Sequence, residues 1–116
     1  EISANILPEI REFERTSTTT LNAYLQPTIG SYLAKIEAGL KDEGFKGQLL
    51  IVQSNGGVMT VDTARNLPIR TALSGPAAGV IASAYIACEA DFPHVITCDM
   101  GGTSFDVSLV ENCKNT

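Results

Sequence analysis

The sequence has few of the features that mark specialised classes of protein. It contains no tryptophan and a single histidine, and eight lysine and arginine residues stand against 13 acidic ones, which gives a net charge of −5. A nucleic-acid surface needs clustered basic side chains to neutralise phosphates, and the basic residues here are scattered. The charge balance therefore argues against a protein that binds nucleic acid.

Long apolar runs and secretion signals are also missing. The longest apolar stretch, residues 76–88, is too short to span a bilayer, and no signal peptide opens the sequence. The three cysteines, Cys88, Cys98 and Cys113, are odd in number and lack CxxC spacing. This pattern predicts buried reduced thiols rather than a disulfide or a metal site. Together these features predict a cytoplasmic protein.

An initiator methionine is absent as well, and Glu1-Ile2 is typical of an internal start. With 44% hydrophobic and 18% charged residues, the 116-residue chain has the composition of a soluble globular protein and enough length for one core. We therefore expect a folded piece of a larger protein.

The first third of the chain predicts one long amphipathic helix. Residues 1–17 show no clear period and are predicted to form a loop or lead-in segment. From Thr18 onward, apolar residues recur every three or four positions, as expected for a helix of about 25 residues that ends near Gly44. Pro27 lies inside this pattern and predicts a kink or a division into two helices. The apolar face consists of Leu21, Leu25, Ile29, Leu33, Ile36 and Leu40.

The middle of the chain predicts two strands separated by a short helix. The apolar run of residues 49–53 indicates a strand covered on both faces, and hence a parallel sheet with helices on either side. The SNGG segment, residues 54–57, would bring backbone close to a ligand or would be a plain turn, and the residues alone favour the plain turn. Thr60 is expected to cap a helix over residues 61–65, and residues 69–73 are expected to form the second strand.

A helix of small residues follows. Ser74-Gly75-Pro76 predicts its start, with Pro76 at the first helical position after a small capping residue, and the helix is expected to run to about Glu89. Because its side chains are so small, its surface allows another backbone to approach closely, beneath a loop or where two lobes move. The small residues are Ala77, Ala78, Gly79, Ala82, Ser83, Ala84 and Ala87.

The stretch from Val95 to Val110, VITCDMGGTSFDVSLV, has the strongest chemical content. Two apolar runs flank a turn and predict a β-hairpin. Asp99, at the end of the first run, is predicted to bind Mg²⁺ through water, and the loop after it to offer N–H groups and hydroxyls to phosphate. Asp106 is predicted to orient the loop instead of binding the ion. The alternative is a hairpin whose glycines only satisfy turn geometry. The predicted phosphate residues are Gly101, Gly102, Thr103 and Ser104.

The order of strand, small-residue helix and hairpin resembles the centre of the actin, sugar-kinase and heat-shock-chaperone ATPase superfamily. Within it, SNGGVM, LSGPAAGV and CDMGGTSFDVSLV together resemble the hydantoinase A / 5-oxoprolinase family, which includes N-methylhydantoinase and acetone carboxylase subunits. The resemblance covers essentially the entire sequence. It implies an α/β chain, a fragment of an actin-like (ribonuclease H-like) ATPase fold, in which strands alternate with helices and end in a β-hairpin.

The resemblance also implies a division between two lobes. Residues 1–91 would be the end of the N-terminal ATPase lobe, with residues 75–90 as the connecting helix. Residues 92–116 would begin the C-terminal lobe, which opens with the phosphate-binding hairpin.

Site residues follow from the same resemblance. Asp99 and the hairpin loop would contact the phosphates of ATP and its Mg²⁺, and Ser74 and Gly75 would lie near the cleft. Chaperones and actin have a Glu or Gln near the position of Gly75 that orders the attacking water. Gly75 has no side chain to do so, which fits a family whose γ-phosphate goes to an amide oxygen of the substrate.

The implied function of the full-length protein is ATP-dependent hydrolysis of a cyclic amide, of the N-methylhydantoinase or 5-oxoprolinase type, by phosphorylation of the amide. The 116-residue piece is expected to be inactive because it holds one of two phosphate loops. The alternatives are a nucleotide switch of the actin or chaperone type and an acetone carboxylase-type subunit. Expected partners are a small cyclic amide and a second hydrolase subunit, without nucleic acid or membrane, and exposed strand edges predict self-association.

Overall fold

The computed structural model describes residues 1–115 and contains helices and two small sheets. It divides into two compact units, one made of residues 1–51 and 58–72, the other of residues 52–57 and the described residues from Leu73 onward. Within residues 1–115, no helix combines the length and the apolar character needed to cross a membrane.

In chain order the elements are α1 (Ser3–Ile6), α2 (Glu12–Asp42), β1 (Leu50–Val52), β2 (Val58–Thr60), α3 (Val61–Asn66), a 3₁₀ helix (Pro68–Thr71), α4 (Ser74–Glu89), β3 (Val95–Met100), β4 (Phe105–Glu111) and β5 (Lys114–Asn115).

The first unit is organised around α2, which is a single helix of 31 residues. The predicted loop over residues 1–17 is wrong at α1 and at the first turns of α2. Glu12 and Glu14 lie in the first turn, where acidic side chains favour helix formation without any apolar period. Pro27 lies inside α2 and does not divide it, so the two-helix alternative is also wrong.

Apolar side chains from α2, α3 and the β1–β2 hairpin form the core of this unit. Leu33 of α2 packs with residues of the segment that follows the hairpin turn, and this cluster is shielded from water. Burial of each such side chain contributes about 1.5–3 kcal/mol, which stabilises α2 far more than its intrinsic helix propensity does. The buried members are Leu33, Met59, Val61 and Ala64, and Ile29, Leu49 and Ile51 pack against them.

Asn22 is a polar side chain at the centre of the first unit and has 0% exposure. Its amide nitrogen donates to Glu1 Oε1 at 3.0 Å and to the Asn66 carbonyl oxygen at 2.9 Å. Its carbonyl oxygen accepts from the Ile69 N–H at 3.1 Å. Asn22 therefore fixes α2 to the segment between α3 and the 3₁₀ helix.

We expect Asn22→Ala to lower the free energy of unfolding by about 2 kcal/mol, because the part-buried Ile69 N–H would lose its partner and the Asn66 carbonyl oxygen would keep only its bond from Gln26. Urea denaturation followed by circular dichroism measures this change. Asn5→Ala, in the exposed helix α1, is the matched control and should change the unfolding free energy by less than about 0.5 kcal/mol. Equal effects of the two substitutions would show that the Asn22 hydrogen bonds do not stabilise the fold.

The short elements after β2 agree only in part with the predictions made from the sequence. Thr60 caps α3 as predicted, since its hydroxyl accepts from the Thr63 N–H at 3.3 Å. The predicted strand at residues 69–73 is wrong, because residues 68–71 form a 3₁₀ helix. The Ile69 N–H is bound by the Asn22 side chain, a long-range contact that the local sequence does not reveal.

The predicted parallel strand at residues 49–53 is wrong in its pairing. β1 pairs with β2, and residues 53–57 that join them are too few for the crossover that parallel strands need. Leu50 is half exposed, so this strand is not covered on both faces within the described chain. A short apolar run has the same composition in a hairpin and in a parallel sheet, and the sequence alone does not separate them.

The second unit consists of α4 packed on the three-stranded sheet β3–β4–β5, together with the turn of residues 52–57. The predicted hairpin and small-residue helix are confirmed as elements. The start of α4 differs from the prediction. The helix begins at Ser74, two residues before Pro76, and its N-cap is Leu73, whose φ of 59° lies in the left-handed region and whose side chain forms no cap.

One face of the β3–β4 hairpin carries apolar side chains that are 45–79% exposed. Exposed apolar patches of this kind mark surfaces that contact another segment or another protein. The predicted self-association remains a prediction, and this face and the open edge of β3 are where it would occur. The cross-strand pairs on this face are Ile96 with Leu109, Cys98 with Val107, and Met100 with Phe105.

The predicted state of the cysteines is wrong. Cys88, in the last turn of α4, and Cys113, between β4 and β5, form a disulfide with a Cα–Cα distance of 5.5 Å. Cys98 is free, as predicted, but exposed rather than buried. The bond closes a loop with a sequence separation of 25, for which the chain-entropy model gives about 3.5 kcal/mol of stabilisation. An odd cysteine count does not reveal which two thiols a fold brings together.

Candidate functional site

The loop of the β3–β4 hairpin comprises the four exposed residues 101–104. The Gly101 N–H donates to the Ser104 carbonyl oxygen at 3.0 Å and closes the loop. Within the described part of the chain, the N–H groups of Gly102 and Thr103 form no hydrogen bond. These two N–H groups, with the Thr103 and Ser104 hydroxyls, are therefore the donors that the loop can offer to an anion.

Two carboxylates face each other at the end of the hairpin. Asp99 of β3 is the direct cross-strand partner of Asp106 of β4, so both side chains lie on the same face of the sheet. Like charges directly opposite each other are destabilising unless a cation or a hydrogen-bond donor compensates them. The pair is therefore a place where a bound cation would stabilise the hairpin.

Asp99 also lies close to α4. A Cβ added to Gly79 would lie 4.0 Å from Asp99 Oδ2, which is ordinary van der Waals contact. The small residues of α4 thus bring the helix backbone near the carboxylate. The composition of the helix predicted the approach of another backbone, whereas the atom near Gly79 belongs to a side chain.

The carboxylate pair lines a cavity of 530 Å³ that lies entirely within the second unit. The β3–β4 hairpin forms one wall, the first three turns of α4 form another, and the SNGG turn contributes Ser54. Small and apolar side chains make up most of the helix wall, while carboxylates and hydroxyls come from the hairpin and the turn. The lining residues are Ser54, Leu73, Pro76, Ala77, Gly79, Val80, Ser83, Thr97, Cys98, Asp99, Asp106 and Val107.

The other predicted site residues border this cavity without lining it. Ser74 and Gly75 are the first two residues of α4, and their neighbours Leu73 and Pro76 line the wall. The loop of residues 101–104 continues directly from Asp99 and Met100. Asp99 is therefore the only predicted site residue that lines the cavity among residues 1–115.

The SNGG turn has a defined geometry. The Gln53 N–H donates to the Gly57 carbonyl oxygen at 2.8 Å, and the Gly57 N–H donates to Asn55 Oδ1 at 2.9 Å. Gly56 has a φ of +83°, and a Cβ added there would lie 2.2 Å from Ile81 Cδ1 on α4. The positive φ favours glycine at this position, and a Cβ there would displace the end of the Ile81 side chain.

Ser54 and Asp106 are the residues that the sequence analysis left out of the site. The hairpin register contains the signal for Asp106, because a four-residue loop after Met100 places residue 106 opposite residue 99. Ser54 carries no comparable signal, since its place at the cavity depends on how the turn packs on α4.

Comparison with known proteins identifies the family of this chain. The model of the Hydantoinase/oxoprolinase family matches residues 15–116. The chain is 41% identical over 104 residues to caprolactamase subunit alpha of Pseudomonas jessenii. This match covers 90% of the present chain and 15% of that protein. It is 37% identical over 109 residues to 5-oxoprolinase of Saccharomyces cerevisiae, with 92% and 8% covered.

A solved structure supports the same relationship. The nucleotide-free structure of acetone carboxylase, described in a study of the mechanism of ATP-dependent acetone carboxylation, matches with a TM-score of 0.83 and 31% identity. The match covers 98% of this chain and 16% of the acetone carboxylase chain. The predicted α/β class and the resemblance are thereby confirmed, although the chain spans less than a fifth of the length of these relatives. The chain belongs to the hydantoinase/oxoprolinase family.

Proposed function

We propose that the full-length protein containing this chain is an ATP-dependent hydrolase of cyclic amides that phosphorylates the ring carbonyl oxygen. The observation that carries the proposal is the opposed pair Asp99 and Asp106, at a cavity beside the start of α4. When bound, ATP with Mg²⁺ supplies the phosphoryl group that activates the ring carbon, so that one water can open the ring by breaking the C–N bond and a second water can release inorganic phosphate. The protein contributes positioning and neutralisation of charge.

Asp99 and Asp106 are suited to Mg²⁺. The ion prefers oxygen ligands, takes one or two carboxylates and keeps several waters. Among residues 1–115, no group of three or more His, Cys, Asp or Glu side chains comes together. A Mg²⁺ held by this pair would therefore complete its coordination with water and phosphate oxygens, with Asp99 in the catalytic role.

The hairpin loop and the start of α4 are suited to the phosphates. Gly102 and Thr103 would donate their N–H groups, and the hydroxyls of Thr103 and Ser104 would add hydrogen bonds. Gly101 would shape the loop through its bond to the Ser104 carbonyl oxygen. Ser74 and Gly75 begin a 16-residue helix whose N-terminal N–H groups favour a nearby anion.

The substrate would occupy the part of the cavity between the SNGG turn and the helix wall. Ala77, Gly79 and Ser83 leave this wall open because their side chains are small. The Ser54 hydroxyl, on the turn, would hydrogen-bond the amide of the ring. A planar cyclic amide has one polar edge and apolar faces, which suits a wall of this mixed character.

The lobe assignment and the partner are part of this proposal. Residues 1–91, including the connecting helix at 75–90, would close the N-terminal lobe, and residues 92–116 would open the C-terminal one. Caprolactamase, acetophenone carboxylase and acetone carboxylase relatives are each named as a subunit, which supports a partner subunit for the full-length protein.

Substrate-stimulated ATP hydrolysis tests the proposal. We expect hydantoin, N-methylhydantoin, 5-oxoproline or caprolactam to raise the ATPase rate of the full-length protein at least tenfold and to be opened with equal stoichiometry. A nucleotide switch of the actin or chaperone type would not respond to any of these small rings. The polypeptide of residues 1–116 alone should show no turnover above a heat-killed control.

Carboxylation of a ketone is the second candidate function. The structural match to acetone carboxylase favours it, because that match covers 98% of the chain. Acetone with bicarbonate should then stimulate ATP hydrolysis while the cyclic amides do not. The same assay therefore separates the two candidates.

A further inference from the structure

The Cys88–Cys113 disulfide adds a second covalent link between α4 and the sheet. The connector of residues 90–94 leads from α4 into β3, which is the first strand in the sheet order β3–β4–β5. The disulfide attaches the same end of α4 to the turn between β4 and β5. Without it, the chain would connect the sheet to the helix through β3 only.

The location of this link couples it to the cavity. Within α4, Gly79 lies near Asp99, and Cys88 lies in the last turn at the other end of the helix. β3 runs the opposite way, because the turn containing Cys113 lies at the start of β3, where its N–H donates to the Pro93 carbonyl oxygen at 3.0 Å. The disulfide therefore fixes one end of the helix–sheet contact whose other end forms the cavity wall. Opening it would let the sheet move over α4 and shift Asp99 relative to the helix.

Cys113 occupies a backbone position that cysteine adopts at a cost. Asn112 and Cys113 have φ values of 51° and 63° and form the two-residue turn between Glu111 and Lys114. Turns of this type favour Asn followed by Gly, because both central residues lie in the left-handed region. A cysteine at the glycine position is accounted for by the bond that its side chain makes.

The disulfide is accessible to a reductant. Cys88 and Cys113 are each half-buried, and both line a surface groove of 300 Å³ beside α4. Tyr85, Glu89 and Asn115 form the rest of the rim together with apolar residues of the helix. This groove gives a small dithiol a route to the two cysteines from the surface of the unit.

We propose that Cys88–Cys113 is a thiol–disulfide exchange site that sets the rigidity of the phosphate-binding hairpin. One thiolate of a dithiol attacks a sulfur of the disulfide and forms a mixed disulfide, and the second thiolate then displaces the other sulfur. The dithiol loses two electrons and becomes a disulfide, while Cys88 and Cys113 gain two electrons and two protons. A small-molecule disulfide reverses the exchange.

Thiol counting and hydrogen exchange in the full-length protein test the proposal. Within residues 1–116, mass spectrometry after alkylation should find a single cysteine, Cys98, that carries glutathione or the alkyl group in glutathione disulfide. Three alkylated cysteines should be found after dithiothreitol. Reduction should speed amide exchange at residues 95–110 at least tenfold. Cys88→Ser and Cys113→Ser should exchange at the fast rate in both buffers, whereas the wild type should do so only after reduction.

Nucleotide affinity is the functional readout, and this part rests on the proposed function. Calorimetry with Mg²⁺-ATP should show at least fivefold weaker binding after reduction, except in Cys88→Ser and Cys113→Ser, which should bind weakly throughout. Three modified cysteines in glutathione disulfide, or unchanged exchange and affinity after reduction, would overturn the proposal. Absence of ATP binding in either buffer would count against the proposed function, and exchange at residues 95–110 would still decide the role of the disulfide.

Discussion

Asp99→Asn in the full-length protein is expected to lower ATP-dependent ring opening by about a thousandfold or more, because the substitution removes the charge that would hold Mg²⁺ at the phosphates. The side chain keeps its size, so the cavity keeps its shape. Asp99 faces Asp106 across the hairpin, and loss of one charge relieves their repulsion. The thermal unfolding midpoint should therefore stay the same or rise, while turnover falls.

Asp91→Asn is the matched control, because it makes the same chemical change in the exposed connector after α4 and does not line the cavity. Its turnover should equal that of the wild type. The double variant Asp99→Asn/Asp106→Asn should be no slower than Asp99→Asn alone, since both residues would act on one ion. Wild-type turnover in Asp99→Asn, or a lowered unfolding midpoint that accounts for the lost activity, would remove Asp99 from the catalytic site.

Gly56→Ala is expected to lower turnover by about a hundredfold, because small displacements of positioning groups have effects of this size. A methyl group at residue 56 would meet Ile81 Cδ1 and would force a φ of +83° on a residue with a Cβ. The turn would shift away from α4 and carry Ser54 away from the cavity. Steady-state kinetics should place most of the loss in kcat/KM for the cyclic amide rather than for ATP.

One further variant separates the contact with Ile81 from the backbone strain at residue 56, and another serves as a control. Ile81→Ala in the Gly56→Ala background makes room for the methyl group and should restore part of the activity, leaving the cost of the positive φ. Gly39→Ala, at a helix position with nothing within 4 Å of the added Cβ, should leave turnover unchanged and stabilise the protein by about 0.5–1 kcal/mol. Full activity of Gly56→Ala would show that the SNGG turn does not position the substrate.

Local signals predicted the elements that build the site. The alternation of apolar and polar residues around Gly101 and Gly102 gave the β3–β4 hairpin, and the dense run of small residues gave α4. The Thr60 cap followed from the side chain of a single residue. Each of these depends on neighbours within a few positions, and such interactions can be seen in a sequence.

Contacts between distant residues account for what the sequence did not predict. Asn22 binds the N–H of Ile69 and thereby excludes the predicted strand there. Cys88 meets Cys113 only after α4 packs on the sheet. Ser54 reaches the cavity because the turn packs on Ile81 through Gly56. In each case a side chain meets a partner that folding brings near, and neither composition nor period specifies that partner.

The transfer of an oxygen atom tests the central proposal most directly. If the full-length protein phosphorylates the ring carbonyl oxygen of a cyclic amide, one water opens the ring by breaking the C–N bond. A second water then attacks the same carbon, and the original carbonyl oxygen leaves with the phosphoryl group. With ¹⁸O in the carbonyl of the substrate that stimulates ATP hydrolysis, we expect one ¹⁸O atom in inorganic phosphate for each ring opened, measured by mass spectrometry. Unlabelled phosphate, with all of the ¹⁸O retained in the ring-opened product, would contradict the account.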